Sequence, residues 1–125
     1  MSFGFTGKII HLDLSSGSIT IEEPQEAFYR KYLGGSAMGM YYILKEMPGG
    51  TGALDPAAVL TIMISPTTGA AISGQSRINI NARSPMSGAV GDSQGGGFFP
   101  AELKFAGYDG FVIKVWSEKP VYLKI

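Results

Sequence analysis

The sequence predicts an α+β domain, with mixed, mostly antiparallel sheets and a few short helices. Three observations carry this reading. Short runs alternate apolar and polar residues with period two, the mark of half-buried strands. Eighteen glycines in 125 residues are too many for a helical bundle and suit a turn-rich sheet protein. The order of elements is hairpin, helices, strands, short helix, strands, which is not the βαβα alternation of a doubly wound sheet.

Lys8 to Leu14 places Ile10, Leu12 and Leu14 on one side and His11 and Asp13 on the other. Ser18 to Glu22 repeats the pattern, and Asp13-Leu14-Ser15-Ser16-Gly17 supplies turn chemistry, so the pair reads as a β-hairpin. Pro24 opens a helix over Gln25 to Leu33, which Gly34-Gly35 interrupts. A second helix is predicted from Ser36 to Glu46, with Ser36 as N-cap and Met40, Ile43, Leu44 and Met47 as its apolar stripe. Gly35 and Gly39 lie four apart, so one helix face can approach another backbone closely. Val59 to Ile64 is an apolar run that reads as a buried strand, ended by Ser65-Pro66-Thr67-Thr68-Gly69. Arg77 to Ala82 alternates again, and Ala89 to Gly91 reads as a short strand. Phe111 to Trp116 and Val121 to Ile125 are predicted as the last two strands. The last of these simply stops, which suggests a chain cut from something longer and an edge ready for self-pairing.

Between them lies Gly95-Gly96-Gly97-Phe98-Phe99-Pro100-Ala101-Glu102-Leu103-Lys104-Phe105-Ala106-Gly107. Three glycines in a row lose much entropy on folding and make most sense where a backbone must come close to something. A short helix follows, with Pro100 in its first turn, Glu102 near its positive end and Gly107 to stop it. Such a loop either holds an anion or packs its glycines against a neighbouring strand.

Composition narrows the function. Ten basic and ten acidic residues give a formal charge of zero with no basic stripe, so no nucleic acid partner is expected. No apolar run reaches the length of a membrane span, and the N-terminus lacks the layout of a signal peptide, so a cytoplasmic protein is expected. With no cysteine, the chain cannot hold a conventional iron–sulfur cluster alone. Arg77, Asn79 and Asn81 share one strand face spanning about 13 Å. That face either offers forked donors to a phosphate or is merely solvated. His11, the sole histidine, reads as a surface residue. Asp92 and Glu102 are the carboxylates nearest the glycine loop, but their sequence distance does not make them a pair. No catalytic set is present. Alone, these residues argue for binding an anionic ligand rather than for performing a reaction.

Many of these segments, in order, are similar to the N-terminal domain of the tungsten-containing aldehyde:ferredoxin oxidoreductase family. They are Gly7-Lys8-Ile9-Ile10-His11-Leu12-Asp13-Leu14, Tyr32-Leu33-Gly34-Gly35, the Ser65 to Gly69 turn, Ser76-Arg77-Ile78-Asn79, Ser84-Pro85-Met86-Ser87-Gly88, and Gly96 to Phe99. Ala101-Glu102-Leu103-Lys104-Phe105-Ala106-Gly107-Tyr108-Asp109 resembles a family signature. The resemblance implies that residues 1–125 form an N-terminal, cofactor-supporting domain, a platform under a bis-pyranopterin tungsten or molybdenum cofactor. It implies that Arg77 contacts the pterin phosphates and that the Gln94 main-chain carbonyl helps hold a magnesium ion. It also implies that Gly95, Gly96 and Gly97 lie along the pterin. Two departures stand out: Gln94 replaces an asparagine, and Gln75-Ser76 stand where glycines often precede the arginine.

The implied enzyme oxidises or reduces a carbonyl-type substrate with an iron–sulfur acceptor such as ferredoxin. Its 4Fe-4S cluster, its remaining domains and its catalytic residues lie outside this chain, and a homo-oligomer is expected. Two rival readings are a free-standing module for a phosphorylated small molecule and a non-enzymatic self-association domain.

Overall fold

The computed structural model describes residues 4–114 and 116–125. The alternating runs become strands β1 (Ile9–Asp13) and β2 (Ser18–Glu22), joined by a turn whose Asp13 carboxylate accepts from the Ser15 and Ser16 N–H groups. Helices α1 (Glu26–Tyr32) and α2 (Gly35–Glu46) follow, then β3 (Val59–Ile64), β4 (Ile78–Arg83), β5 (Val90–Gly95), α3 (Phe99–Phe105) and β6 (Gly110–Lys114). All six strands form one sheet in the order β2-β1-β6-β3-β4-β5. Every pairing is antiparallel except β1 with β6. The α+β, mostly antiparallel expectation holds.

The period of two gives the sheet two faces. On one, Ile9, Val59, Met63 and Val112 pack against Tyr29 of α1 and Met38, Tyr42 and Ile43 of α2. On the other, Ile10, Leu12, Ile64 and Phe111 pack against Leu103 of α3. Burying each such side chain contributes about 1.5–3 kcal/mol. Helix α3 is only seven residues long and covers part of its face, leaving Ile19 67% and Ile21 50% exposed.

Helix α2 is turned differently from the predicted stripe. Gly35, Met38, Gly39, Tyr42 and Ile43 face inward, and Leu44 points to solvent. The reason is the glycine pair. A Cβ on Gly35 would stand 2.7 Å from Asn79 Oδ1, and one on Gly39 would stand 2.5 Å from Asn81 Oδ1. The four-residue glycine spacing does mark a close approach, but the helix rests on the Asn79 and Asn81 side chains of β4 rather than on another backbone. Gly34, not Ser36, is the N-cap, and Ser36 lies inside the first turn.

Three further expectations are corrected. Val121 to Ile125 runs without ladder partners and is no strand, so the edges of the sheet are β2 and β5 and the argument for self-pairing through the last residues falls. The predicted Phe111 to Trp116 strand is β6, ending at Lys114; Val115 lies outside the described residues and Trp116 is not in a strand. His11 is not a surface residue: its side chain is 15% exposed beneath the C-terminal end of α2. There Nε2 lies 2.7 Å from Glu22 Oε2 and Nδ1 lies 3.7 Å from Glu46 Oε1. The Tyr42 hydroxyl donates to the same Glu22 oxygen at 3.0 Å, and Lys114 pairs with Glu46. Burial, then the charge of Glu22, pushes the Tyr42 phenol well above its ordinary range.

Candidate functional site

The β4–β5 hairpin builds the site. Its register pairs Asn79 with Gln94 and Ile78 with Gly95, so Arg77, one residue before β4, comes beside Gly96, one residue after β5. Arg77 is exposed, and among the described residues its guanidinium has no hydrogen-bond or ion-pair partner. Arg77, Gly96, Gly97, Phe98, Ala101 and Gly74 line one open cleft of about 530 Å³. Of the five predicted site residues, the structure brings Arg77, Gly96 and Gly97 to one cleft.

The other two site residues stand apart from this cleft. Gly95 closes β5 and lies on the opposite sheet face, where a Cβ would meet Ile78 Cγ1 at an ordinary 3.5 Å. Gln94 is exposed on edge strand β5, on the α2 face of the sheet. The strand begins at Val90, so the expected Ala89 to Gly91 strand extends into the glycine run.

The glycines differ from one another. Gly97 has φ +100°, a conformation that side-chain-bearing residues avoid, and a Cβ there would meet no atom within 4 Å. Gly96 needs no positive φ, and its Cβ would lie 3.4 Å from the Ser76 carbonyl oxygen. Neither is wedged against a neighbouring side chain. A Cβ at Gly95 or Gly96 would make only ordinary contact, so close packing against the neighbouring strand does not require glycine at any of the three.

The Arg77-Asn79-Asn81 face is divided. Asn81 is fully buried against Thr61 and Gly39, and neither of its amide atoms has a hydrogen-bond partner among the described residues. Asn79 is half-buried and donates from Nδ2 to Ser36 Oγ at 2.8 Å, while Ser36 Oγ donates to Asp92 Oδ2 at 2.7 Å. Of the three, only Arg77 stays free among the described residues. The solvated alternative fails for both asparagines because α2 covers them, and period-two alternation says which side chains share a face without saying what covers it. Ser36 and Asp92 were missed as a pair, and the Gly34-Gly35 start of α2 was the signal. Asp92 sits beside the positive end of that helix.

Supports surround the cleft. Thr68, 3% exposed, ends the turn after β3; its hydroxyl accepts from Ser65 N–H at 3.1 Å and lies 3.4 Å from the Arg77 carbonyl. Helix α3 ends in a Schellman motif, with Gly107 N–H to Lys104 O at 3.0 Å and Tyr108 N–H to Leu103 O at 3.2 Å. The Lys104 ammonium then reaches Asp109 Oδ1 at 2.9 Å and Gly4 O at 2.6 Å. Asp109, 1% exposed, also accepts from Thr6 and Gly7 N–H groups. The signature segment thus pins α3 to the start of β6 and to the N-terminal segment. Burial, then the charge of Asp109, pushes Tyr29 well above its ordinary range. Glu102 is exposed on α3 and lines a separate cleft with Phe99 and Leu123, so it makes no pair with Asp92.

Among the described residues, no group of three or more His, Asp or Glu side chains is placed to hold a metal ion. No helix there is long and apolar enough to cross a membrane. A metal at this site would need main-chain ligands or a ligand of its own.

Comparison with known proteins agrees with the geometry. The family model for the aldehyde ferredoxin oxidoreductase N-terminal domain matches residues 9–125. The tungsten-containing aldehyde ferredoxin oxidoreductase of Pyrococcus furiosus is 40% identical over 123 residues, covering 98% of this chain and 20% of the relative. The Thermococcus kodakarensis enzyme of the same name is 38% identical with the same coverage. An aliphatic sulfonate oxidoreductase, WOR-like subunit, of Pyrococcus furiosus is 32% identical over 126 residues. Among solved structures, a chain of the active site complex BamBC of benzoyl coenzyme A reductase, in complex with 1,5 dienoyl-CoA, superposes with a TM-score of 0.91. That match has 27% identity and covers 95% of this chain and 18% of the other. The chain spans about a fifth of the length of the relatives it matches. Match, identity and topology agree along the chain, which therefore belongs to the aldehyde ferredoxin oxidoreductase family, as its N-terminal domain.

Proposed function

We propose that this domain is one wall of a tungsten (or molybdenum) pyranopterin site in a larger cytoplasmic oxidoreductase. Arg77 binds the phosphate end of the pterin through charge-assisted hydrogen bonds. Gly96 and Gly97 let the main chain lie against the ligand, and Phe98 flanks the same cleft. The observation that carries the reading is an arginine without a partner among the described residues, in one open cleft with two glycines that no described side chain wedges.

The residues fit such a group. An exposed guanidinium suits phosphate, and main chain without Cβ atoms suits a flat ring system. We assign the Gln94 main-chain carbonyl as a group that would hold a magnesium ion accompanying the cofactor. Its position on an edge strand supports this, because such a strand has main-chain groups without ladder partners. When bound, the cofactor supplies two-electron redox chemistry at its metal, and the protein supplies binding, orientation and electrostatics. An iron–sulfur cluster passing electrons to an acceptor such as ferredoxin would need ligands from other domains, since this chain has no cysteine. Relatives at 40% and 32% identity are named for aldehydes and for aliphatic sulfonates, so we place substrate choice in the rest of the enzyme.

Arg77→Ala in the full-length enzyme tests the reading. Each charge-assisted bond contributes about 1.5–3 kcal/mol. Bound metal and pterin should fall several-fold while circular dichroism stays unchanged, because Arg77 has no partner to lose among the described residues. Full metal content in that variant would refute the phosphate role.

A further inference from the structure

The glycine turn has little to hold it. Gly97 adopts φ +100° with nothing within 4 Å of its missing Cβ, and Gly96 meets only the Ser76 carbonyl at 3.4 Å. Glycine visits positive and negative φ about equally, so side-chain packing does not select this conformation. One side-chain contact does reach the turn. The Ser76 hydroxyl donates to the Gly97 carbonyl at 2.5 Å, a short hydrogen bond. Ser76 and Gly97 both border the cleft described above. Ser76 is also the covalent neighbour of Arg77. On the other side, Thr68 is buried beneath the Arg77 carbonyl and fixes the start of β4. The strand is therefore the fixed part, the turn is the movable part, and Ser76 joins them.

We infer that Ser76 is a positioning residue: its hydroxyl latches the Gly96-Gly97 turn in one conformation at a set distance from Arg77. An anionic ligand then finds the cation and the main-chain groups of the turn already arranged and bears less ordering cost on binding. The inference rests on the proposed phosphate-binding role of this cleft. It adds that affinity depends on a side chain that does not itself carry the charge.

The test uses the full-length enzyme in four forms: unaltered, Ser76→Ala, Ser76→Thr and Arg77→Ala. Chymotryptic cleavage after Phe98, 88% exposed at the end of the turn, is timed by mass spectrometry on protein expressed without tungstate or molybdate. Bound metal and pterin are read on protein expressed with tungstate. Ser76→Ala should speed this cleavage about fivefold, the order expected for one lost exposed hydrogen bond that holds the turn. It should also lower cofactor content several-fold. Ser76→Thr, which keeps the hydroxyl, should restore both. Arg77→Ala should lower cofactor content and leave cleavage of the turn unchanged. Unchanged cleavage in Ser76→Ala overturns the latch. Faster cleavage with full cofactor content overturns the positioning role alone if Arg77→Ala still loses cofactor. If Arg77→Ala keeps its cofactor too, the phosphate-binding reading falls with it.

Discussion

Replacing Gly39 by alanine should weaken the domain, against the usual direction of that change. Glycine to alanine inside a helix ordinarily stabilises by about 1 kcal/mol. Here the new Cβ lands 2.5 Å from Asn81 Oδ1 and 2.6 Å from Thr61 Oγ1. Both side chains are fully buried, so neither can swing into solvent. Ordinary contact needs about 3.5 Å, so α2 must lift from the sheet by about 1 Å. Overpacking of this kind costs about 1–3 kcal/mol, and two rigid buried partners put it near the upper end. After the propensity gain, a net loss of about 2 kcal/mol remains. For a domain of this size that lowers the melting temperature by about 8 °C. Far-UV circular dichroism of the 125-residue chain reads it. Gly39→Ala combined with Asn81→Ala should recover part of the loss by removing the nearer clash. The lifted helix also carries Ser36 away from Asp92, so the polar contacts beside Gln94 loosen with it. A melting temperature that stays level or rises in Gly39→Ala would mean that the helix does not rest on β4, and the account of the glycine pair would be wrong.

Three other outcomes are expected. Gly96→Ala should change stability by less than about 0.5 kcal/mol, since the site tolerates the methyl, while cofactor content of the full-length enzyme falls; normal loading with a lowered melting temperature would reject contact between this glycine and the cofactor. Gly97→Ala should instead lose about 1–2 kcal/mol through its positive φ, whatever is bound. Lys104→Met leaves the Asp109 carboxylate buried without its cation and should destabilise by about 3 kcal/mol, with early proteolytic release of the N-terminal segment as the first sign; a melting temperature equal to that of the unaltered protein would show that the pair is dispensable. The isolated 125-residue chain should purify without iron and fail to oxidise aldehydes with an artificial acceptor, and turnover by that chain would contradict the division of labour proposed here.

The sequence makes some features plain and hides others for physical reasons. Alternation located β1, β2 and β4 within a residue or two, because a half-buried strand must alternate. Val121 to Ile125 is equally apolar yet joins no ladder, since apolar content does not specify a pairing partner. His11 and Asn81 read as outward-facing because the helix that covers them comes from elsewhere in the chain. The Gly35 and Gly39 spacing was the clue to that cover, and it was legible. The cleft was legible through Arg77, Gly96 and Gly97. The short bond from Ser76 to Gly97 and the contacts of Ser36 with Asp92 join residues 21 and 56 positions apart, which no local pattern encodes.

The strand order has a consequence for how the domain assembles. β6 is the one strand that joins the β2-β1 hairpin to the β3-β4-β5 meander. Before residues 110–114 take their place, the chain holds two separate half-sheets, one within residues 9–22 and one within residues 59–95. Each half is built from neighbours in sequence and can form quickly. Their union waits for the last strand, which β1 meets in the slower parallel mode and β3 in the antiparallel one. The hairpin that carries Arg77 and the glycine turn therefore exists early, on a meander tied to the first hairpin through α2 but not yet through the sheet. During synthesis, the arrival of β6 marks the moment at which the two half-sheets become one, and a ribosome stalled short of residue 110 would display them bridged by α2 alone.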